Sequence, residues 1–249
     1  MTTLITGASS GLGAGMARQL AGRGHDLVLC ARRTERLEAL REELLAAFPG
    51  RRVEIRTLDV TDHDAVFVVV RGVAETLGRL DRVVVNAGVG RGSPLGTGRF
   101  DANRETAMTN FVAALAQVEA AMEVFRAQGG GHLVMVSSMA AMRGLPKAAT
   151  TYAATKAAVA HLVEGLRAEF HGQDSYRFTV LYPGYIASEM NDGIEPARHR
   201  LMVSTERGVA AMVSAIEKER ASACVPFLPW APLSVLLKHA PLPVFRRMI

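Results

Sequence analysis

The 249-residue chain predicts an α/β fold: a doubly wound parallel sheet of about seven strands with helices on both faces. Three observations carry this. Short β-branched runs alternate with longer helical stretches along nearly the whole sequence. The strand-like runs are continuously apolar, as strands covered on both faces are. No linker, internal repeat or low-complexity tract breaks the alternation, so residues 1–249 read as one domain.

The elements follow in order. Thr3–Thr6 is the first expected strand and Gly13–Gly22 the first helix. Leu27–Ala31 leads to a helix over Arg33–Phe48, with Thr34 as a possible cap. Val53–Leu58 precedes Asp62–Leu77, where Thr61 and Asp64 make a Thr-x-x-Asp capping box. Val83–Asn86 is followed by a long helix, Asn103–Ala127, which Gly129-Gly130-Gly131 terminates. His132–Ser137 comes next, then Tyr152–Phe170, rich in helix-forming Ala, Leu and Glu. Phe178–Tyr182 and Ala223–Phe227 complete the strands. From Cys224 to Ile249 the character changes: Pro226, Pro229, Pro232, Pro241 and Pro243 punctuate a leucine-rich segment containing Phe227, Trp230 and Phe245. No unbroken apolar stretch there reaches the ~20 residues of a membrane span. The expectation is a tail packed over the body or over a partner subunit. A substrate lid, or docking on a membrane surface helped by Arg246 and Arg247, ranks below it.

Composition narrows the function classes. The net charge of +5, from 29 basic and 24 acidic residues, suits a phosphate-bearing ligand. The basic residues are scattered, so nucleic acid is not expected as a partner. Cys30 and Cys224 lie in apolar runs and read as buried thiols. The seven histidines lack metal-ligand spacing, read as surface or helix-end residues, and imply no metal. A strand begins within two residues of Met1, which leaves no room for a signal peptide and makes the cytoplasm the expected location.

Two motifs carry chemistry. Thr6-Gly7-Ala8-Ser9-Ser10-Gly11-Leu12-Gly13 joins the first strand to the first helix. Its glycines permit a tight turn and let the backbone and helix N-terminus approach a pyrophosphate. The second motif is Tyr152-Ala-Ala-Thr-Lys156. Residues four apart share a helix face, so the ammonium and the phenol become neighbours. A cation favours the phenolate; lowering a phenol from its usual pKa of ~10 by ~3 units needs about 4 kcal/mol, within reach of one lysine plus a cationic cofactor. Taken alone, the same spacing is common on solvated helices.

Together, the T-G-x-x-x-G-x-G spacing and the Tyr-x-x-x-Lys resemble the short-chain dehydrogenase/reductase family, from about Thr3 to Ala215. Further motifs of that family appear in its order: Asp59-Val60 after the third strand, Asn86-Ala87-Gly88 after the fourth, Asn110 in the long helix, Ser137-Ser138 after the fifth strand and Pro183-Gly184 after the sixth. The resemblance implies a Rossmann-type fold and oxidoreductase activity. It gives Tyr152 as general acid or base, Lys156 as ligand of the nicotinamide ribose, Ser138 as donor to the substrate oxygen and Asn110 as support of a water relay. It also assigns cofactor contacts to Gly7, Ser9, Ser10, Gly11, Leu12, Gly13, Asp59, Val60, Asn86, Ala87, Gly88, Pro183, Gly184, Ile186 and Ser188. Where NAD-type members place an acid at the end of the second strand, this chain has Ala31, followed by Arg32 and Arg33. Two guanidiniums near a helix N-terminus oppose its dipole, and a 2′-phosphate makes sense of them, so NADP(H) is expected over NAD(H).

Three departures stand out. Ser138 precedes Tyr152 by fourteen residues where the family usually has thirteen, with Ser137 the lesser alternative. Ser188 replaces a threonine, and Val85 replaces the first asparagine of N-N-A-G. Tyr185, Met139, Met142 and Met190 are expected to flank an apolar pocket. Arg143 reads as an exposed loop charge before it reads as an anion contact. Residues 188–203 are the expected substrate lid. The resulting expectation is an NADP(H)-dependent carbonyl reductase or secondary alcohol dehydrogenase working as a homodimer or homotetramer. The rivals are an NADPH-binding sensor without turnover and a sugar-nucleotide epimerase or dehydratase, whose glycine spacing and larger C-terminal domain this chain lacks.

Overall fold

The structure is a computed structural model that describes residues 1–90, 92–187 and 201–248. Seven strands form one sheet: β1 Thr2–Thr6, β2 Asp26–Ala31, β3 Val53–Thr57, β4 Arg82–Val85, β5 Gly131–Val136, β6 Tyr176–Pro183 and β7 Ser222–Val225. Every pairing is parallel, in the order β3-β2-β1-β4-β5-β6-β7. The order reverses between β1 and β4, and the carboxyl ends there open the crevice in which such Rossmann-type sheets bind ligands. The helices are α1 Gly11–Gly22, α2 Thr34–Ala47, α3 His63–Leu77, α4 Phe100–Ala107, α5 Ala113–Gln128, α6 Ala149–Glu169, α7 Thr205–Glu217, α8 Phe227–His239 and α9 Leu242–Met248.

Strand alternation splits the core in two. Leu4, Val28, Val83, Leu133 and Val180 face α3, α5 and α6. Their chain neighbours Ile5, Leu29, Val84, Val134 and Leu181 face α1, α2 and α7. Each strand is therefore apolar at successive positions because both of its faces are covered. Full burial of each such aliphatic side chain contributes roughly 1.5–3 kcal/mol.

Local chemistry corrects several expectations. Asp62, not Thr61, caps α3, accepting from the Ala65 amide; Thr61 instead bonds Asp59. Thr34 is the first residue of α2 and shares its hydroxyl with Thr57 (2.7 Å) rather than capping. The seventh strand stops at Val225 because Pro226 has no N–H for the ladder, and Phe227 opens α8, exposed. Cys30 is buried, whereas Cys224 is half-buried.

Two histidines are interior rather than superficial. His132, near the start of β5, accepts at Nδ1 from the Nε of buried Arg82 (3.0 Å). Arginine only donates, so the other ring nitrogen carries the proton and donates to Thr179 Oγ1 (2.8 Å). Arg82 also pairs with Glu217 (2.8 Å), which meets buried His25 at 3.2 Å. Burial pushes His132 down to about 3, with Arg82 and Arg177 acting the same way. This polar knot ties β4, β5, β6 and α7 together at the amino end of the sheet, opposite the glycine loop.

Candidate active site

At the carboxyl end of β1 the chain turns on Gly7, whose φ is +64°. A Cβ there would come within 2.9 Å of the Ala87 Cα, so only glycine lets the loop lie against the end of β4. Thr6 Oγ1 accepts from the amides of Asn86 (3.1 Å) and Ala87 (3.2 Å). The Asn86 side chain donates back to the carbonyls of Thr6 (2.9 Å) and Gly7 (3.3 Å). Asn86 thus fastens the glycine loop to β4. A Cβ on Gly13 would collide with the Gly7 carbonyl, so the first turn of α1 closes on the loop. Ser10 occupies the N-cap position of α1 but makes no side-chain cap bond, which leaves the helix start to its backbone N–H groups. Leu12 packs its side chain against the core.

The Ser9 and Ser10 hydroxyls face Arg33, which donates to them at 3.2 and 2.6 Å. Arg32 lies 3.7 Å from Asp59 and is mostly exposed. Burial works to raise the Asp59 carboxyl, but hydrogen bonds from Thr61 and the charge of Arg32 outweigh it and hold the group below its usual range. Val60 is buried in the core beside α3. The end of β2 therefore presents two guanidiniums and two hydroxyls, a donor set suited to a phosphate. The residues present fit a dinucleotide phosphate group on this observation.

At the end of β5 the two serines point apart. Ser137 donates to the Lys156 carbonyl (2.7 Å) and is buried. Ser138 is the N-cap residue of the 3₁₀ turn Met139–Met142 and accepts from the Ala140 amide (3.1 Å), and its hydroxyl lies near enough to the Tyr152 phenol to favour the phenolate. Adjacent extended residues face opposite sides, which is why only one of the pair reaches the tyrosine. The fourteen-residue step contains the 3₁₀ turn and Lys147, whose φ is +59° two residues before α6. Tyr152 and Lys156 share one face of α6, with Nζ 5.8 Å from the phenol ring centre.

The electrostatics differ from the expectation for an isolated pair. Tyr152 is raised above its ordinary value by burial, with the Ser138 hydroxyl opposing and the nearby Tyr185 phenol adding. Lys156 is buried, donates to the Val136 carbonyl (3.0 Å) and is pushed down to about 8. In the protein alone, desolvation outweighs the Ser138 hydroxyl, the group that works to lower the phenol. The phenol holds its proton.

Asn110 lies in a π-helical turn, Met108–Val112, between α4 and α5. Its side chain donates to the Val89 carbonyl (2.9 Å) and accepts from the Val89 amide (2.8 Å). A Cβ on Gly88 would stand 3.1 Å from Asn110 Oδ1 and 3.5 Å from Lys156 Nζ, so Gly88 is where these two groups approach each other. Such turns recur at functional sites.

The tail packs on the segment that follows β6. A Cβ on Gly184 would lie inside the indole of Trp230, so the tail sits directly on the backbone after β6. Trp230 is 3% exposed and meets Tyr185 edge-on, ring centres 5.4 Å apart. Arg143 is not an exposed charge: it donates to the carbonyls of Leu237 and Ala240 and stacks on Phe245 at 4.7 Å. Pro183 ends β6 buried. Ile186 is buried, with its side chain against Gly208 of α7 and its backbone bridged to Val203. Met139 is buried, whereas Met142 borders a separate cavity of about 450 Å³ between β7, α7 and α8. Ser188, Met190 and most of the expected lid lie outside the described residues.

The sequence model of the short chain dehydrogenase family matches residues 1–199. The chain belongs to this family. An uncharacterized oxidoreductase of Mycobacterium tuberculosis is 50% identical over 244 residues, covering 98% of this chain and 95% of the relative. A short-chain dehydrogenase from Sphingobium yanoikuyae in complex with NADPH superposes with a TM-score of 0.81 at 28% identity, covering 94% and 91% of the two chains. One from Burkholderia cenocepacia in complex with NADP gives 0.79 at 28%, covering 90% and 96%. This short-chain dehydrogenase is an oxidoreductase on a Rossmann-type sheet. Among its described residues no helix is long and apolar enough to cross a membrane. Sequence reasoning did not find three features around its site: the seat of Trp230 on Gly184, the Arg143 clasp on the tail and the π turn at Asn110. Only the T-G start of the glycine motif hinted at the role of the Thr6 hydroxyl.

Proposed function

We propose that this short-chain dehydrogenase is an NADP(H)-dependent carbonyl reductase or secondary alcohol dehydrogenase acting on a largely apolar small molecule. The observation that carries the reading is the Tyr152 phenol on the same face of α6 as buried Lys156, with Nζ 5.8 Å from the ring centre and the Ser138 hydroxyl nearby. A bound nicotinamide supplies the hydride. Tyr152, kept protonated by burial, gives its phenolic proton to the oxygen of the reduced carbonyl, and Ser138 donates a hydrogen bond to that oxygen as negative charge develops. Lys156 would hold the nicotinamide ribose. Gly7, Gly11, Gly13 and the start of α1 would hold the pyrophosphate, and Arg32, Arg33, Ser9 and Ser10 the 2′-phosphate. Solved relatives complexed with NADP and NADPH support that preference. The edge-on pair of Tyr185 and Trp230 supports an apolar substrate. We further infer one catalytic unit over the whole chain, working in the cytoplasm as a homodimer or homotetramer.

The test is NADPH oxidation against a panel of ketones and aldehydes, with Tyr152→Phe as control and cofactor binding followed by nicotinamide fluorescence. Turnover that falls by about 10²–10⁴-fold in the variant while NADPH still binds is the expected result. NADPH binding without turnover across the panel overturns the reading in favour of a sensor.

A further inference from the structure

Exposed apolar side chains are concentrated in the tail. Of the twelve large hydrophobics exposed among the described residues, six lie there: Phe227, Leu228, Val235, Leu236, Leu242 and Val244, between 45% and 65% exposed. The same segment is cationic. From Ala221 to Ile249 there is no Asp or Glu, while Lys238, Arg246 and Arg247 are exposed and form no ion pair among the described residues. The opposite side is fixed to the body by buried Trp230, Ala240 and Phe245 and by the Arg143 clasp. The tail is thus a held platform that turns apolar groups and uncompensated cations outward.

We propose that this platform docks the protein on an anionic bilayer surface. Helices α8 and α9, of 13 and 7 residues, are too short to span, so they lie in the interface. Their leucines, valines and phenylalanine enter the acyl boundary while the cations meet lipid phosphates. Charge argues against a second copy as the occupant. A two-fold contact sets a patch against itself, and this patch would oppose three cations with three cations and no acid. Anionic headgroups satisfy both properties at once.

The experiment is vesicle sedimentation of the full chain, comparing phosphatidylcholine alone with phosphatidylcholine containing about a third phosphatidylglycerol. Binding is expected to the anionic vesicles and to weaken in about 0.5 M salt. The triple variant Lys238→Gln, Arg246→Gln, Arg247→Gln should lose about 100-fold in partitioning, roughly 5-fold per cation. Val235→Ser with Leu236→Ser should lose at least about 10-fold by removing the inserted groups. Both variants should keep the wild-type melting temperature and NADPH affinity, since neither site touches the glycine loop or Tyr152. Wild-type protein that ignores anionic vesicles, or a triple variant that binds them undiminished, overturns the proposal. So does a concentration-dependent dimer that the Val235→Ser, Leu236→Ser change dissolves while no vesicles bind.

Discussion

Replacing His132 by glutamine would isolate the acid sensitivity of the polar knot beneath the sheet. The imidazole is buried between Arg82 and Thr179 and is held down to about 3 by that burial. In the unfolded chain it titrates near ~6.5. Above that pH both states are neutral and the group contributes nothing to the pH dependence. Below it the unfolded chain binds a proton that the folded protein refuses, so stability is lost as the pH falls from 6.5 towards 3. Each unit costs up to about 1.4 kcal/mol, giving about 2.7 kcal/mol at pH ~4.5 and about 5 kcal/mol by pH ~3. Glutamine can accept from Arg82 and donate to Thr179 without titrating. The assay is urea unfolding at a series of pH values, comparing wild type with His132→Gln at a common m-value. The carboxylates and His25 titrate in both proteins and cancel in the difference. Wild type should fall about 2.7 kcal/mol further than the variant between pH ~6.5 and ~4.5. Parallel curves would refute the argument that this histidine is refused its proton.

Three further outcomes follow from the geometry. Glu217→Ala strands the Arg82 charge, which is 2% exposed, and should destabilise by about 3–5 kcal/mol in urea unfolding at neutral pH. Arg33→Ala removes the guanidinium that spans Ser9 and Ser10, and kcat/KM for NADPH should drop by about 10–100-fold with little change for NADH; Arg32→Asp should likewise shift the preference towards NADH. Gly184→Ala places a methyl inside the indole of Trp230, the one tryptophan of the chain, so its emission should shift to the red and the tail should become open to protease; unchanged emission would mean that the tail is not seated there.

What could be read in advance depended on how local the signal was. The strands were legible because burial on both faces writes itself as unbroken Val, Ile and Leu. Tyr152 and Lys156 were legible as neighbours because helical spacing fixes them. Their electrostatics were not, since desolvation is set by what the fold stacks over them, and no spacing encodes it. His132 and Arg82 meet across fifty residues, and Arg82 meets Glu217 across 135. Arg143 finds its acceptors nearly a hundred residues on, as main-chain carbonyls that carry no residue type at all. The π turn at Asn110 rearranges hydrogen bonds without needing unusual composition. In the tail the prolines looked like breakers of structure, yet Pro226 and Pro241 fall just ahead of helices, where a missing N–H costs nothing.

The seat of Trp230 on Gly184 separates two tasks along the chain. The groups assigned to proton transfer are rooted in β5 and α6, deep in the sheet, where any change disturbs the core. Trp230, which with Tyr185 is proposed to meet the substrate, comes from the final two dozen residues, which contribute no strand and no acid or base to the chemistry. Exchanging that terminal stretch could retune selectivity while the reaction machinery stays as it is, much as a changed die alters what a press accepts but not how it strikes.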